Sequence, residues 1–168
     1  MGRADVLQAV AQFINGAGIQ HLGKLFPYAP KITTEAAFFS QSVPGDPMGA
    51  IIYTFFPRQS EHRIALGGPT SGAKMVRYEL LMMVLFRTRT ETAEEAGAEN
   101  DAFLDSLAAA IRANRTTGNS QVVFQWGEGD DIYGEDIKIE SSVPRELRLG
   151  VTQIYSTVEV VVLEQVTT

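Results

Sequence analysis

Gly67, Gly72 and Lys74, in the stretch "GGPTSGAKM", come nearest to a spacing that does chemistry. A phosphate-binding loop reads G-x-x-x-x-G-K-[ST]. Its backbone N–H groups and the following helix N-terminus hold the phosphates, its Lys neutralises them, and its hydroxyl ligates Mg²⁺. Gly67 and Gly72 have the required separation, but Ala73 comes before Lys74, and Met75 stands where the hydroxyl belongs. The residues that follow alternate as a strand, so no helix would begin there, and no βαβ alternation supplies a parallel sheet. The stretch Gly67–Lys74 reads instead as a surface hairpin loop.

The remaining polar candidates are sparser. His21 and His62 are far apart, and neither falls in an H-x-x-x-H or H-E-x-x-H spacing, so each reads as a surface or structural histidine. "GEGDDIYGED" gathers Glu128, Asp130, Asp131, Glu135 and Asp136 in a glycine-rich turn, without the D-x-[DN]-x-[DN]-G order of a calcium loop. An acidic solvated loop or a partner contact is the better reading, and no pocket residue points to a substrate for a carboxylate acid/base pair. Met82 and Met83 read as core packing. The chain has no cysteine, which excludes disulfides, thiolate metal sites and cysteine nucleophiles. No enzyme activity, cofactor or metal is expected.

The elements that would position any site are easier to read. Val6, Leu7, Val10, Phe13 and Ile14 fall at helical spacing, and Gly16 and Gly18 end a helix over Ala4–Asn15. A strand in "HLGKLF" leads into a segment punctuated by Pro27, Pro30, Pro44 and Pro47, at about residues 27–48. Connections of that length are functional or disordered. This one carries "EAAFF", whose Phe38 and Phe39 would be wasted in a solvated linker. "GAIIYTFF" and "SEHRIAL" read as two paired strands joined at Pro57–Gln59.

Along Met75–Phe86, Val76, Tyr78, Leu80, Met82, Val84 and Phe86 share one face. The opposite face turns apolar at Leu81, Met83 and Leu85, which predicts a strand whose far end is covered on both sides. "AENDAFLDSLAAAIRANR" predicts a second helix. It would be capped at Asn100 or Asp101, with Phe103, Leu104, Leu107, Ala108 and Ile111 inward and Arg112 and Arg115 near its end. Strands in "QVVFQW", "EDIKIES" and "VTQIYSTVEVVVLEQV" complete a single α+β domain over residues 1–168: an antiparallel or mixed sheet with two helices.

Composition bounds the function classes. The chain has 168 residues, is 45% hydrophobic and carries 14 basic against 20 acidic residues, a net charge of −6. An acidic surface argues against general nucleic-acid binding, which needs cations to displace counterions. The longest apolar run, "LLMMVLF", is far short of the roughly 20 residues that span a bilayer. Asp5, Gln8, Gln12 and Asn15 interrupt any signal-peptide core, and Val6 stands where N-myristoylation wants Ser or Thr. Asn114-Arg115-Thr116 matches the glycosylation sequon, which without an export signal reads as chance. A soluble protein assembled in the cytoplasm, with no membrane partner, is expected.

A long arm, acidic loops and long strands without visible chemistry suggest a structural subunit that binds other proteins. "RADVLQAVAQFI", "SEHRIALGG", "YELLMMVLF", the second helix and "VVFQWGEG" together resemble tail terminator proteins of long-tailed, siphovirus-type phages, especially those of actinobacterial hosts. The resemblance covers nearly the whole chain in order, through phrases rather than chemical motifs, and brings no catalytic residues. It implies a tail-terminator-like fold and a virion protein at the head-proximal end of the tail. There a homohexameric ring would cap the tail tube, end its polymerisation and meet the head-tail connector, with DNA passing the lumen unbound.

Another tail-to-head junction protein or a tube subunit of the same fold group is the alternative. A nucleotide- or metal-dependent enzyme or a host-side binding module would stand outside it. Phe38, Phe39, Lys74, Asp130 and Asp131 are the candidate interface residues. The apolar surplus of the long strands Met75–Arg87 and Val151–Val166, beyond what two short helices cover, favours burial between copies.

Overall fold

The alternation along Met75–Phe86 is a strand in the computed structural model, which describes residues 2–31, 48–63, 72–90, 92–114, 116–117, 125–126, 137–147 and 150–167. The elements run α1 (Arg3–Gly16), β1 (Leu22–Phe26), β2 (Gly49–Arg63), β3 (Ala73–Thr88), α2 (Ala93–Ala113), β4 (Gln125–Trp126), β5 (Lys138–Ser141), β6 (Arg145–Glu146) and β7 (Thr152–Thr167). The fold is α+β, and its sheet is mixed. The order is β1-β2-β3-β7-β4, with β5 and β6 also on β7, and only β1 against β2 is parallel.

β3 and β7 pair without a break from Ala73↔Thr167 to Thr88↔Thr152. Val76, Tyr78, Leu80, Met82, Val84 and Phe86 are all buried, and their β7 partners Val158, Val160 and Val162 bury with them. The inward stripes of α1 (Val6, Leu7, Val10, Ile14) and α2 (Phe103, Leu104, Leu107, Ile111) close over these same residues in one core. Phe86 and Phe103 meet with ring centroids 5.8 Å apart. Both helices therefore lie on one face of the sheet.

Three details differ from the sequence reading. The hairpin expected at Pro57–Gln59 does not form: β2 is one 15-residue strand that pairs with β3 on both sides of a bulge between Phe55 and Arg58. Pro57 has no N–H to give a ladder, so it sits where the ladder is already interrupted. The true hairpin is β2–β3, whose last pair, Arg63↔Lys74, brackets residues 64–73.

α2 also begins earlier than Asn100. Thr92 caps it, its hydroxyl accepting from the Glu95 N–H at 3.1 Å. Thr92-x-x-Glu95 is a capping-box spacing, strong enough to carry the helix through Gly97. Asn100 consequently faces inward and is buried.

The third difference concerns Leu81, Met83 and Leu85. They are half-buried, whereas Ile51, paired with Leu85 on the same face, is fully buried.

The edge strand β1 is closed by a side chain. Asn15 at the end of α1 donates to the Leu25 carbonyl at 2.9 Å and accepts the Leu25 N–H at 2.8 Å, as a neighbouring strand would. The turn between α1 and β1 passes through Gly18 at φ 68°, left-handed backbone that favours glycine.

Candidate functional site

Of the residues singled out in the sequence, Phe38, Phe39, Asp130 and Asp131 lie outside the described residues, as do Gly67, Glu128, Glu135 and Asp136. Lys74 is not in a loop; it belongs to β3. Its ammonium is 3.9 Å from the Glu61 carboxylate, with both side chains about half exposed, a pairing worth at most about 1 kcal/mol. The strand that follows Gly72 presents no helix N-terminus to a phosphate. His21 closes the turn before β1 at φ 64°, while His62 is exposed on β2 opposite Met75. Among the described residues no group of three His, Asp or Glu side chains is placed to hold a metal ion.

Two polar clusters sit inside the helix-covered face. Tyr78 Oη donates to Glu164 Oε2 at 2.6 Å, and Glu164 is fully buried. Burial, then the hydrogen bond and charge of Glu164, push the Tyr78 phenol well above its usual range; the nearby Glu61 adds to this and Arg3 opposes it. Phe56 stacks on Tyr78 with centroids 4.7 Å apart, and Arg3 donates to the Phe56 carbonyl at 2.6 Å. This ties the start of α1 to the bulge in β2. At the other end Thr88 donates to Glu99 at 2.6 Å, and the Ser141 and Ser156 hydroxyls are 2.9 Å apart beside Asn100. Both clusters join elements together.

The opposite face of the sheet carries a second set of apolar side chains, with Ile51 fully buried among them. The register places Phe26, Tyr53, Phe55, Leu81, Met83, Leu85 and Tyr155 together on it. Phe55 is 42% exposed, and Tyr28, just beyond β1, is 53% exposed. The Tyr53 and Tyr155 hydroxyls share a hydrogen bond of 2.5 Å across β3. Burial first, then this bond and its partner's charge, push the Tyr53 phenol up to about 12. Toward the hairpin end, Met75, Val161 and Leu163 form a small buried cluster of their own.

Charge on this face has a pattern. Arg58 lies 3.8 Å from Glu79, and Arg77 3.2 Å from the same carboxylate. Pro57, Arg58, Glu79, Leu81, Lys138 and Glu159 line a groove of about 560 Å³ beside the β2 bulge. By register, and among the described residues, Lys24, Arg58, Arg77, Arg87, Lys138 and Arg145 share the face with Glu79, Glu140 and Glu159. In a chain of net charge −6, the described strand residues of this face are thus net basic.

Periodicity groups these residues on one face, but it does not say what lies against that face. Phe26, Tyr53, Phe55 and Tyr155 on that side were the available signal. No known protein-family model matches the chain, and no curated protein matches it. No helix among the described residues is long and apolar enough to cross a membrane.

Proposed function

We propose that the protein is a structural subunit of a phage virion, a tail terminator. It assembles as a ring on the head-proximal end of the tail tube, ends tube growth and meets the connector. The observation that supports this reading is the long sheet: β2, β3 and β7 are 15 or 16 residues long, and one face of them carries half-buried aromatic and aliphatic side chains with no helix against it among the described residues. Apolar sheet surface of that kind is a protein-contact surface rather than a reaction site. The resemblance to tail terminators supplies the ring and its place. The buried polar clusters join elements to each other, which suits a rigid building block.

Immunogold imaging of assembled tails tests the reading. A single ring of this protein at the head-proximal end is expected. Rings stacked along the tail would make it a tube subunit, and absence from the particle would sink the virion reading. Nucleotide binding lost on Lys74→Ala would revive the enzyme reading.

A further inference from the structure

Beyond β7 the sheet ends in a strand whose own pattern is self-complementary. β5 (Lys138–Ser141) lies on β7, and all four of its residues are exposed. Its pairing is unbroken from Lys138↔Glu159 to Ser141↔Ser156, and the Ser142 N–H continues it to the Tyr155 carbonyl at 2.7 Å. In an antiparallel ladder the N–H and C=O of one residue point to the same side, and those of the next residue to the other. Lys138, Glu140 and Ser142 therefore direct their backbone groups at β7. Ile139 and Ser141 turn theirs outward, and among the described residues nothing receives them. The Ile139 side chain, 38% exposed, stands at the same edge. The β1 edge differs, since Asn15 occupies both backbone groups of Leu25.

We propose that β5 of one copy pairs antiparallel with β5 of a second copy, about a two-fold axis at Ile139. Ile139 then lies opposite Ile139, and the two exchange both backbone hydrogen bonds. Ser141 pairs in the same way with Ile137 of the second copy. Lys138 of each copy stands opposite Glu140 of the other, at the closer positions where Cα atoms are about 4.5 Å apart. Neighbouring registers fail on charge. An axis at Lys138 sets Lys138 on Lys138, one at Glu140 sets Glu140 on Glu140, and parallel in-register pairing does both. An axis at Ser141 runs the ladder into Pro144, which has no N–H to give. Charged residues on an edge strand commonly bar pairing of any kind. Two of opposite sign about a central isoleucine leave one register open. A two-fold contact closes after two copies and cannot propagate, so it belongs to the free protein and is distinct from the ring contact.

The chain has no cysteine, so introduced thiols are the only ones. Lys138→Cys and Glu140→Cys proteins, each checked for an unchanged melting transition, are concentrated to millimolar levels, mixed and oxidised. The mixture should form a disulfide-linked dimer several-fold faster than either protein alone. Ile139→Cys protein should link to itself, with Cα atoms about 5.5 Å apart. Glu140→Lys in that protein should slow the link several-fold, and adding Lys138→Glu should restore it. In the unaltered chain, the Ile139 and Ser141 amides should exchange with solvent more slowly as concentration rises. The Ser142 amide, already bonded to Tyr155, should not change.

Linking of Lys138→Cys or Glu140→Cys protein to itself as fast as in the mixture would show another register and overturn the proposal. So would exchange of Ile139 and Ser141 that stays independent of concentration up to millimolar levels. Both are read on purified protein, so neither result depends on where the protein sits in a tail.

Discussion

The phenol of Tyr53, raised to about 12 by burial and by Tyr155, makes stability depend on pH in one direction. In the unfolded chain a tyrosine ionises near pH 10, so the folded state holds its proton more tightly. The stabilisation is complete below about pH 10 and is lost as the pH rises from about 10 toward 12. The melting temperature should be flat through neutral pH and fall across that window. Tyr78 is raised as well and acts in the same sense, so Tyr53→Phe should remove only part of the fall. An unchanged profile in Tyr53→Phe would mean that the Tyr53–Tyr155 contact does not carry it.

Glu164 is the most demanding residue of the core, a fully buried carboxylate with one oxygen on Tyr78 and, among the described residues, no partner for the other. Removing the Tyr78 hydroxyl leaves the first oxygen unpaired too, at a cost of about 1–3 kcal/mol. Tyr78→Phe should lower the urea midpoint accordingly, and less so in a Glu164→Gln background. Additive effects of the two changes would show that the hydrogen bond is not what couples them. Neither residue announced itself in the sequence, where Tyr78 reads as one more apolar position of β3. Glu164 fell on a strand whose alternation already included Glu159.

Elements were legible where two faces differ. β3 alternates strictly over Val76–Phe86 because its inward residues there are all apolar and its outward ones begin with Arg77 and Glu79. The inward stripe of α2 was equally plain. Boundaries failed for local reasons. Pro57 looked like a turn, yet a proline at a bulge lets one strand continue. Asn100 looked like a cap, yet Thr92 with Glu95 makes a better one eight residues earlier. Thr92→Ala should therefore destabilise the protein by about 1 kcal/mol, seen as a shift of the denaturant midpoint at unchanged slope. A matching loss from Asp101→Ala, with Thr92→Ala silent, would put the functional start of α2 at the later position.

At the scale of the whole molecule, charge is what the sequence states most plainly, while the structure adds where it lies. A net charge of −6 coexists with a sheet face on which, among the described residues, basic residues outnumber acidic ones. Strand periodicity could not reveal this, since it assigns residues to faces but not faces to surroundings. Two consequences can be told apart. If the basic face served DNA, duplex would bind with an affinity falling steeply with salt, roughly one counterion released for each phosphate neutralised. If it serves a neighbouring acidic copy in the ring, the face is spent on that contact and the remaining acidic surface repels the polyanion. Fluorescence anisotropy of labelled duplex against the purified protein should then show no binding at physiological salt. At low salt, any binding should weaken as the protein concentration reaches the range of self-association. Saturable binding that survives physiological salt and is lost with Arg58→Glu would assign the face to nucleic acid and remove the reason for a DNA-indifferent ring.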